Sequence, residues 1–446
     1  MKVTQIKTNL AQKQFWEESE VEIQHGFIEN NAVCLYPQYK DQVFLGFGGA
    51  FTEAAAYTWQ SLTEESRAAL LNAYFGSDGL RYTLGRAHIG SCDFSLGNYS
   101  CIEDPEDTAL TSFNMGRDHQ YMIPMIRAAG EVAGESIRLL LSPWSPPAFM
   151  KTNGEMNHGG KLRSEYRELW AKCMARYVAE YRKAGVAVQW LSVQNEPDAV
   201  QKWDSCIYSA EEEGLFAAQY LEPALEAEGT DSTEILIWDH NKDQLLDRLE
   251  RSFKQEQCLK VVSGAAFHWY SGDHFEAVEL AHRRYPNLNL FFTEGCVEYS
   301  RFDGMTDQEK AEMYAHDIIG NLNAGTNASI DWNLLLDERG GPNHVGNFCE
   351  APIMRTSDGD IEKKGSYYYL GHFSRYILPG AVKIGLSRCC SKIEATAFEN
   401  ADGTMAIVLL NQAETDCDIK LRLSRDTYIL LSIKSHEIAT ILVQNQ

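Results

Sequence analysis

No stretch of this 446-residue sequence approaches the roughly 20 uninterrupted apolar residues that a helix needs to cross a bilayer, so a helical membrane insertion is not expected. Positive charge is scarce: 40 Lys and Arg stand against 63 Asp and Glu, a formal charge of −23. That balance repels phosphate backbones and anionic membrane surfaces, which argues against nucleic acid as a partner and leaves a neutral ligand open. Patterned cysteine is lacking too. The eleven cysteines are odd in number and, apart from the adjacent Cys389 and Cys390, scattered without C-x-x-C pairs, so they form neither a disulfide framework nor a zinc pattern. Met1 to Leu10 carries a little positive charge but no apolar stretch and no small-residue cleavage site. With the unpatterned thiols, this sets the expectation of a reducing cytoplasm. Tandem repeats and low-complexity linkers are absent as well, so the domains should be tightly docked.

What is present is a globular composition, 44% hydrophobic and 23% charged, on a chain long enough for one barrel-sized domain and a smaller companion. Between about residue 42 and residue 333, eight β-rich runs alternate with helical stretches, as in a parallel α/β sheet, and eight suggests closure into a barrel. The runs are Val43 to Phe51, Leu80 to His88, Ser136 to Trp144, Val186 to Glu196, Glu234 to His240, Val261 to Tyr270, Leu288 to Glu294 and Ala328 to Asn333. Amphipathic segments such as Leu162 to Ala184 and Ala210 to Glu228 would form the outer ring. After about Tyr376 the character changes: Ile393 to Phe398 and Thr404 to Asn411 flank a turn at Asn400 to Gly403, the mark of an antiparallel module. The first forty residues show short alternating runs and add strands to that module. The expected division is therefore 1–40, 41–375 and 376–446, the outer two forming one unit.

Two of the apolar runs end in a carboxylate, Glu196 in the fourth and Glu294 in the seventh. A buried strand that stops at an acidic residue delivers it to a rim, where packing gives little reason for it. In an eight-stranded α/β barrel all strand C-termini open on one face, so residues remote in sequence meet across one mouth. Two carboxylates about 5 Å apart suit glycoside cleavage with retention: one attacks the anomeric carbon while the other protonates the leaving oxygen and then activates water. Either glutamate alone reads as a turn or helix-start carboxylate; together, on these strands, they favour catalysis.

The motifs around them carry a resemblance. They are Gly46-Phe47-Gly48-Gly49-Ala50-Phe51-Thr52-Glu53-Ala54, Arg86 with Ser91 to Ser95, Ser142-Pro143-Trp144-Ser145-Pro146-Pro147 with Lys151-Thr152-Asn153, and Gln194-Asn195-Glu196-Pro197. His268-Trp269-Tyr270, Thr293-Glu294-Gly295-Cys296, Asp331-Trp332-Asn333 and Gly341-Pro342-Asn343 complete the set. In this order they resemble glycoside hydrolase family 30, the family of glucosylceramidases within the clan of retaining barrel glycosidases. The resemblance implies a (β/α)8 TIM barrel beside an antiparallel β-sandwich built from both chain termini. It makes Glu196 the acid/base and Glu294 the nucleophile, with no cofactor and no metal. Arg86 would hold Glu294 ionised, and Asn195 would bond the sugar 2-hydroxyl. Asp93, Trp144, His268, Tyr270, Trp332 and Asn347 would bind substrate, a carbohydrate or glycoside. For each aromatic the plainer reading is core packing.

Two departures bear on the leaving group: His344 stands where the family has Trp after Gly-Pro-Asn, and Gln201 to Cys206 differs from the lysosomal enzymes. A terminal β-glucosyl bond is the expected target, with xylose, fucose or an endo-β-1,6-glucan as alternatives. Exo or endo action hangs on the loops near Trp203 and His344. Two rivals have other chemistry. His88, His240 and His268 sit near strand ends and could bind zinc, but the first strand lacks the His-x-His usual in metallohydrolase barrels. A non-catalytic glycan-binding protein would have little reason to keep both carboxylates.

Overall fold

A computed structural model describes residues 1–444. Four strands come first: β1 (Lys2–Asn9), β2 (Gln14–Glu20), β3 (Ile23–His25) and β4 (Ala32–Val43). Eight more are each separated by helix or loop: β5 (Gly46–Ala50), β6 (Leu84–Ile89), β7 (Arg138–Pro143), β8 (Ala187–Ser192), β9 (Glu234–Asn241), β10 (Val262–His268), β11 (Asn289–Glu294) and β12 (Ala328–Asn333). All eight pair in parallel and close through β12 and β5 into a barrel, so the eight expected runs are the eight strands. Leu84, Leu140, Trp190, Leu236, Phe291 and Ile330 fill its interior, with Trp190 edge-on to Phe291 at 5.2 Å. Each such side chain contributes about 1.5–3 kcal/mol when fully buried, so the floor beneath the rim is firm. Glycine at 48 is required by packing: a Cβ there would collide with the backbone carbonyl of Leu84 on the neighbouring strand.

The expected outer helices form. Arg167–Lys183 is one helix, and Ala210 to Ala227 runs as helix, a π-turn at Ala217–Leu221 and helix again.

The last strands are β13 (Val382–Ser387), β14 (Ile393–Glu399), β15 (Met405–Asn411), β16 (Cys417–Arg422), β17 (Thr427–Ile433) and β18 (Glu437–Gln444). With the first four they make one ten-stranded sheet in the order β2-β1-β18-β15-β14-β13-β4-β16-β17-β3. Both chain ends thus build one module, and position 40 falls inside β4, which continues to Val43 and pairs with β13. β15 shows why the two domains dock: Ile407 and Leu409 enter the sandwich core, while Ala406, Val408 and Leu410 turn to the barrel-side core. The helix Gly365–Ser374 lies between them, its His372 hydrogen-bonded to Thr440 at 2.9 Å and Thr8 at 2.8 Å.

Candidate active site

The C-terminal ends of the strands converge on a cavity of 380 Å³ lined by Asp93, Trp144, Asn195, Glu196, Glu294 and Trp332 among others. Glu294 is the last residue of β11. Its neighbour Gly295 has no room for a side chain, since a Cβ would lie 2.8 Å from the Trp269 ring and 2.7 Å from Phe292. Glu196 lies four residues beyond the end of β8, in a turn where it adopts φ 47° and its N–H donates to the Asp239 carbonyl at 2.9 Å. A left-handed backbone at a non-glycine residue costs on the order of 1–3 kcal/mol and persists where surrounding contacts hold it. Carboxylate oxygens of Glu196 and Glu294 come within 4.8 Å of each other.

Arg86, on β6 and fully buried, organises the floor. It donates to Glu294 Oε2 at 2.6 Å, Asn195 Oδ1 at 2.7 Å, Asp239 Oδ2 at 2.9 Å and Ser142 Oγ at 3.2 Å. The Tyr270 hydroxyl donates to the other Glu294 oxygen at 3.0 Å and contacts Cys296 Sγ at 3.4 Å. Because Asn195 Oδ1 is taken by Arg86, its amide nitrogen is left to donate into the pocket. Trp144 and Trp332 stack with ring centres 5.5 Å apart, and the Arg86 guanidinium sits 4.8 Å and 5.4 Å from them. Both rings line the cavity. Asp93 accepts from the amides of Asn343 at 3.2 Å and Asn347 at 3.3 Å. Burial, helped by the charge of Glu294, pushes its carboxyl up to about 8, so it offers a proton as well as lone pairs at neutral pH.

His268 is a correction. It was expected against the substrate, but it is fully buried and absent from the pocket wall. Its Nδ1 meets Glu196 Oε1 at 3.3 Å and its Nε2 meets Asp239 Oδ1 at 3.1 Å. Burial opposes its charge, yet Glu294, Asp239 and Glu196 together push the imidazole up to about 9. Burial likewise opposes the charge of Glu196, but the His268 hydrogen bond and the nearby imidazoles hold it down to about 2. One proton is thus shared across this contact: on His268 it leaves Glu196 anionic, and on Glu196 it makes the acid. Burial, then the charge of Glu196, raises the Glu294 carboxyl, while His268 and Arg86 pull it back.

Asp239, which sequence reasoning passed over, joins these groups. Its carboxylate accepts from Arg86, His268, Thr293 at 2.7 Å and Ser142 at 2.9 Å. Burial penalises its charge, but those partners hold it well below the usual carboxylate range. Trp238 and Asp239 both have positive φ, 75° and 51°, at a register shift between β9 and β10. The bulge aims Asp239 inward and is pinned by the Trp238 N–H donating to Glu213 at 2.8 Å. The signal was there: Asp239 also ends an apolar run.

Among the described residues one cluster could hold a cation: Glu196, His268 and Glu294. Each is already engaged, and Arg86 faces the same space. His88 lies apart, its Nε2 accepting from the Glu53 N–H at 3.0 Å and its Nδ1 against the Gly90 carbonyl. Of the two loops thought to set the cleft's length, Trp203 lines the cavity and His344 does not. His344 Nε2 stands 3.7 Å from the buried Asp204, and its N–H donates to the Asp93 carbonyl at 3.1 Å.

The profile of the glycosyl hydrolase family 30 TIM-barrel domain matches residues 44–377, and that of the family 30 β-sandwich domain matches 380–441. A putative glucosylceramidase 3 of Caenorhabditis elegans is 33% identical over 434 residues, 93% of this chain and 82% of the relative. The crystal structure of SrfJ from Salmonella typhimurium superposes with a TM-score of 0.97 at 41% identity, covering 100% of both chains. An endo-β1,6-glucanase structure superposes with a TM-score of 0.88 at 25% identity, again over 100% of both.

Proposed function

This chain belongs to glycoside hydrolase family 30, and we propose that it removes a terminal β-D-glucosyl residue from a small soluble β-glucoside. It is a retaining O-glycosyl hydrolase. The observation that carries the mechanism is the approach of two carboxylates to within 4.8 Å, too close for the intervening water that inversion requires. Glu294, aimed by Arg86 and Tyr270, attacks the anomeric carbon. Glu196 gives its proton to the leaving oxygen, and a glycosyl ester forms on Glu294. That ester carries no charge, so Glu196 then accepts a proton from water, which attacks the same carbon from the face the leaving group vacated. The free amide nitrogen of Asn195 meets the 2-hydroxyl, a contact that strengthens as the ring gains positive charge. His268 holds the shared proton in the empty pocket and hands it to Glu196.

Glucose is supported by the names of the relatives, a glucosylceramidase and an endo-β1,6-glucanase. Exo action is supported by the burial of Asp93, Trp144 and Trp332 at one end of the cavity. A lipid substrate of sphingolipid metabolism is the finer alternative; among the described residues no helix is long and apolar enough to cross a membrane. We place the protein in the cytoplasm, a reading supported by eleven cysteines that are all free thiols, and cell fractionation tests it. A set of chromogenic β-glycosides differing only in the sugar tests the main proposal. The β-glucoside should turn over fastest; preference for the xyloside, galactoside or fucoside, or no turnover at all, would sink it.

A further inference from the structure

A second cavity, of 200 Å³, adjoins the catalytic one and shares two residues with it, Tyr270 and Arg301. Its remaining apolar wall is Trp269, Phe302 and Met313. Arg301 follows the nucleophile's strand by a short loop, its side chain is 46% exposed, and it is held at the rim by Glu298 at 3.1 Å and the Tyr270 carbonyl at 3.0 Å. Its guanidinium lies 5.5 Å from the centre of the Phe302 ring.

The polar groups around this cavity are already used. Asp317 pairs with the buried Lys242 and accepts from Asn321 at 2.6 Å. His316 sits between Glu394 at 2.8 Å and Asp273 at 3.2 Å. The one buried polar side-chain atom of the lining without a partner is the Trp269 indole N–H. A sugar placed here would lose water from several hydroxyls and find few free partners along this largely apolar wall, which is costly. An apolar group loses nothing of the kind. An apolar cavity of roughly 150 Å³ accommodates benzene, so this one has room for a single ring with a short linker.

We infer that the leaving group of the substrate is seated in this second cavity and is a single aromatic ring or short alkyl chain. The inference rests on the glycosidase reading above and names the other half of its substrate. The ring lies against Trp269 and Phe302, Met313 closes the far side, and Arg301 swings outward to join the two spaces.

The test uses the full-length enzyme and three substrates with the same sugar: 2-phenylethyl β-glucoside, β-1,6-glucosyl-glucose and β-glucosyl fluoride. The phenylethyl glucoside should exceed the disaccharide in kcat/KM by about tenfold or more, the scale on which an apolar pocket discriminates. Phe302→Ala, which empties the wall, and Met313→Trp, which fills the cavity, should each lower the ratio of phenylethyl glucoside to glucosyl fluoride about tenfold. Taking the ratio cancels any loss of folded enzyme. Equal use of the two glucosides, or ratios unchanged in both variants, overturns the inference. Trapping by 2-deoxy-2-fluoro-β-glucosyl fluoride, followed by mass spectrometry of the Glu294 peptide, separates the two levels. Label without leaving-group preference overturns this inference alone; no label overturns the glycosidase reading and this inference with it.

Discussion

The two ends of the catalytic pocket are built differently. At the sugar end Asp93 is 5% exposed, Trp144 2% and Trp332 3%, and each is held by a neighbour that is itself fixed. At the leaving-group end Gln201 and Trp203, on the loop after Glu196, and His240, near the end of β9, are half-buried and Arg301 is exposed; Gln201 reaches Glu196 only at 3.4 Å. A rigid end enforces one geometry on the ring being distorted, where a misplacement of about 1 Å can cost on the order of a hundredfold in rate. A loose end changes partner cheaply. The chemistry therefore belongs to the buried half, and the identity of the leaving group to the open half.

Substitutions on the buried half should be severe. Glu294→Gln removes the attacking oxygen and should lower kcat by more than about 10⁴-fold while leaving the fold intact, as checked by circular dichroism. Glu196→Ala should slow deglycosylation by roughly 10²–10⁴-fold yet spare the first step for aryl glucosides that leave without a proton. Azide added to this variant should restore turnover and yield the β-glucosyl azide; an α product would refute retention.

The shared proton provides a milder way to break the contrast. His268 is raised above its ordinary value of about 6.5, so the stability its imidazolium contributes is whole below that pH and is lost as pH rises through about 9. Activity on substrates with poor leaving groups should fall over the same alkaline range, since the proton destined for the leaving oxygen is then gone. On the acid side activity should fall where Glu294 takes up a proton, above the usual carboxylate range. His268→Gln should shift the alkaline limb to lower pH for alkyl glucosides and leave activated aryl glucosides little changed. An equal loss on both kinds of substrate would make His268 merely structural.

The same contrast governs what could be read in advance. The barrel was legible because buried parallel strands leave long apolar runs, and Glu196 and Glu294 stood out as charges that packing does not explain. Asp239 obeys the same rule, but His240 beside it drew the attention, and the two left-handed residues that turn the carboxylate inward carry no glycine to announce them. His268 was placed on the substrate by the resemblance alone; only the register of β10 against β9 shows that its ring faces two carboxylates. Glu298 sits in a two-residue strand, Val297–Glu298, and Arg301 in the turn after it, both outside any periodic run, so no sequence pattern pointed to them.

The smallest expected effect lies at the open end. Trp203 lines the cavity while half-buried, and its backbone carbonyl accepts from the Ser205 hydroxyl at 3.1 Å, so the loop keeps its course without the indole. Trp203→Ala removes an aromatic face worth about 0.5–1.5 kcal/mol where another ring stacks on it. For β-1,6-glucosyl-glucose, whose leaving sugar the apolar second cavity turns away and which is left to lie on this face, KM should rise by a few-fold to about tenfold with kcat nearly unchanged, because binding is weakened alike before and at the transition state. For glucosyl fluoride, which has no ring to stack, KM should hold. A drop in kcat with both substrates would mean that the open end shapes the sugar as strictly as the buried end does, and the division of labour between them would fall.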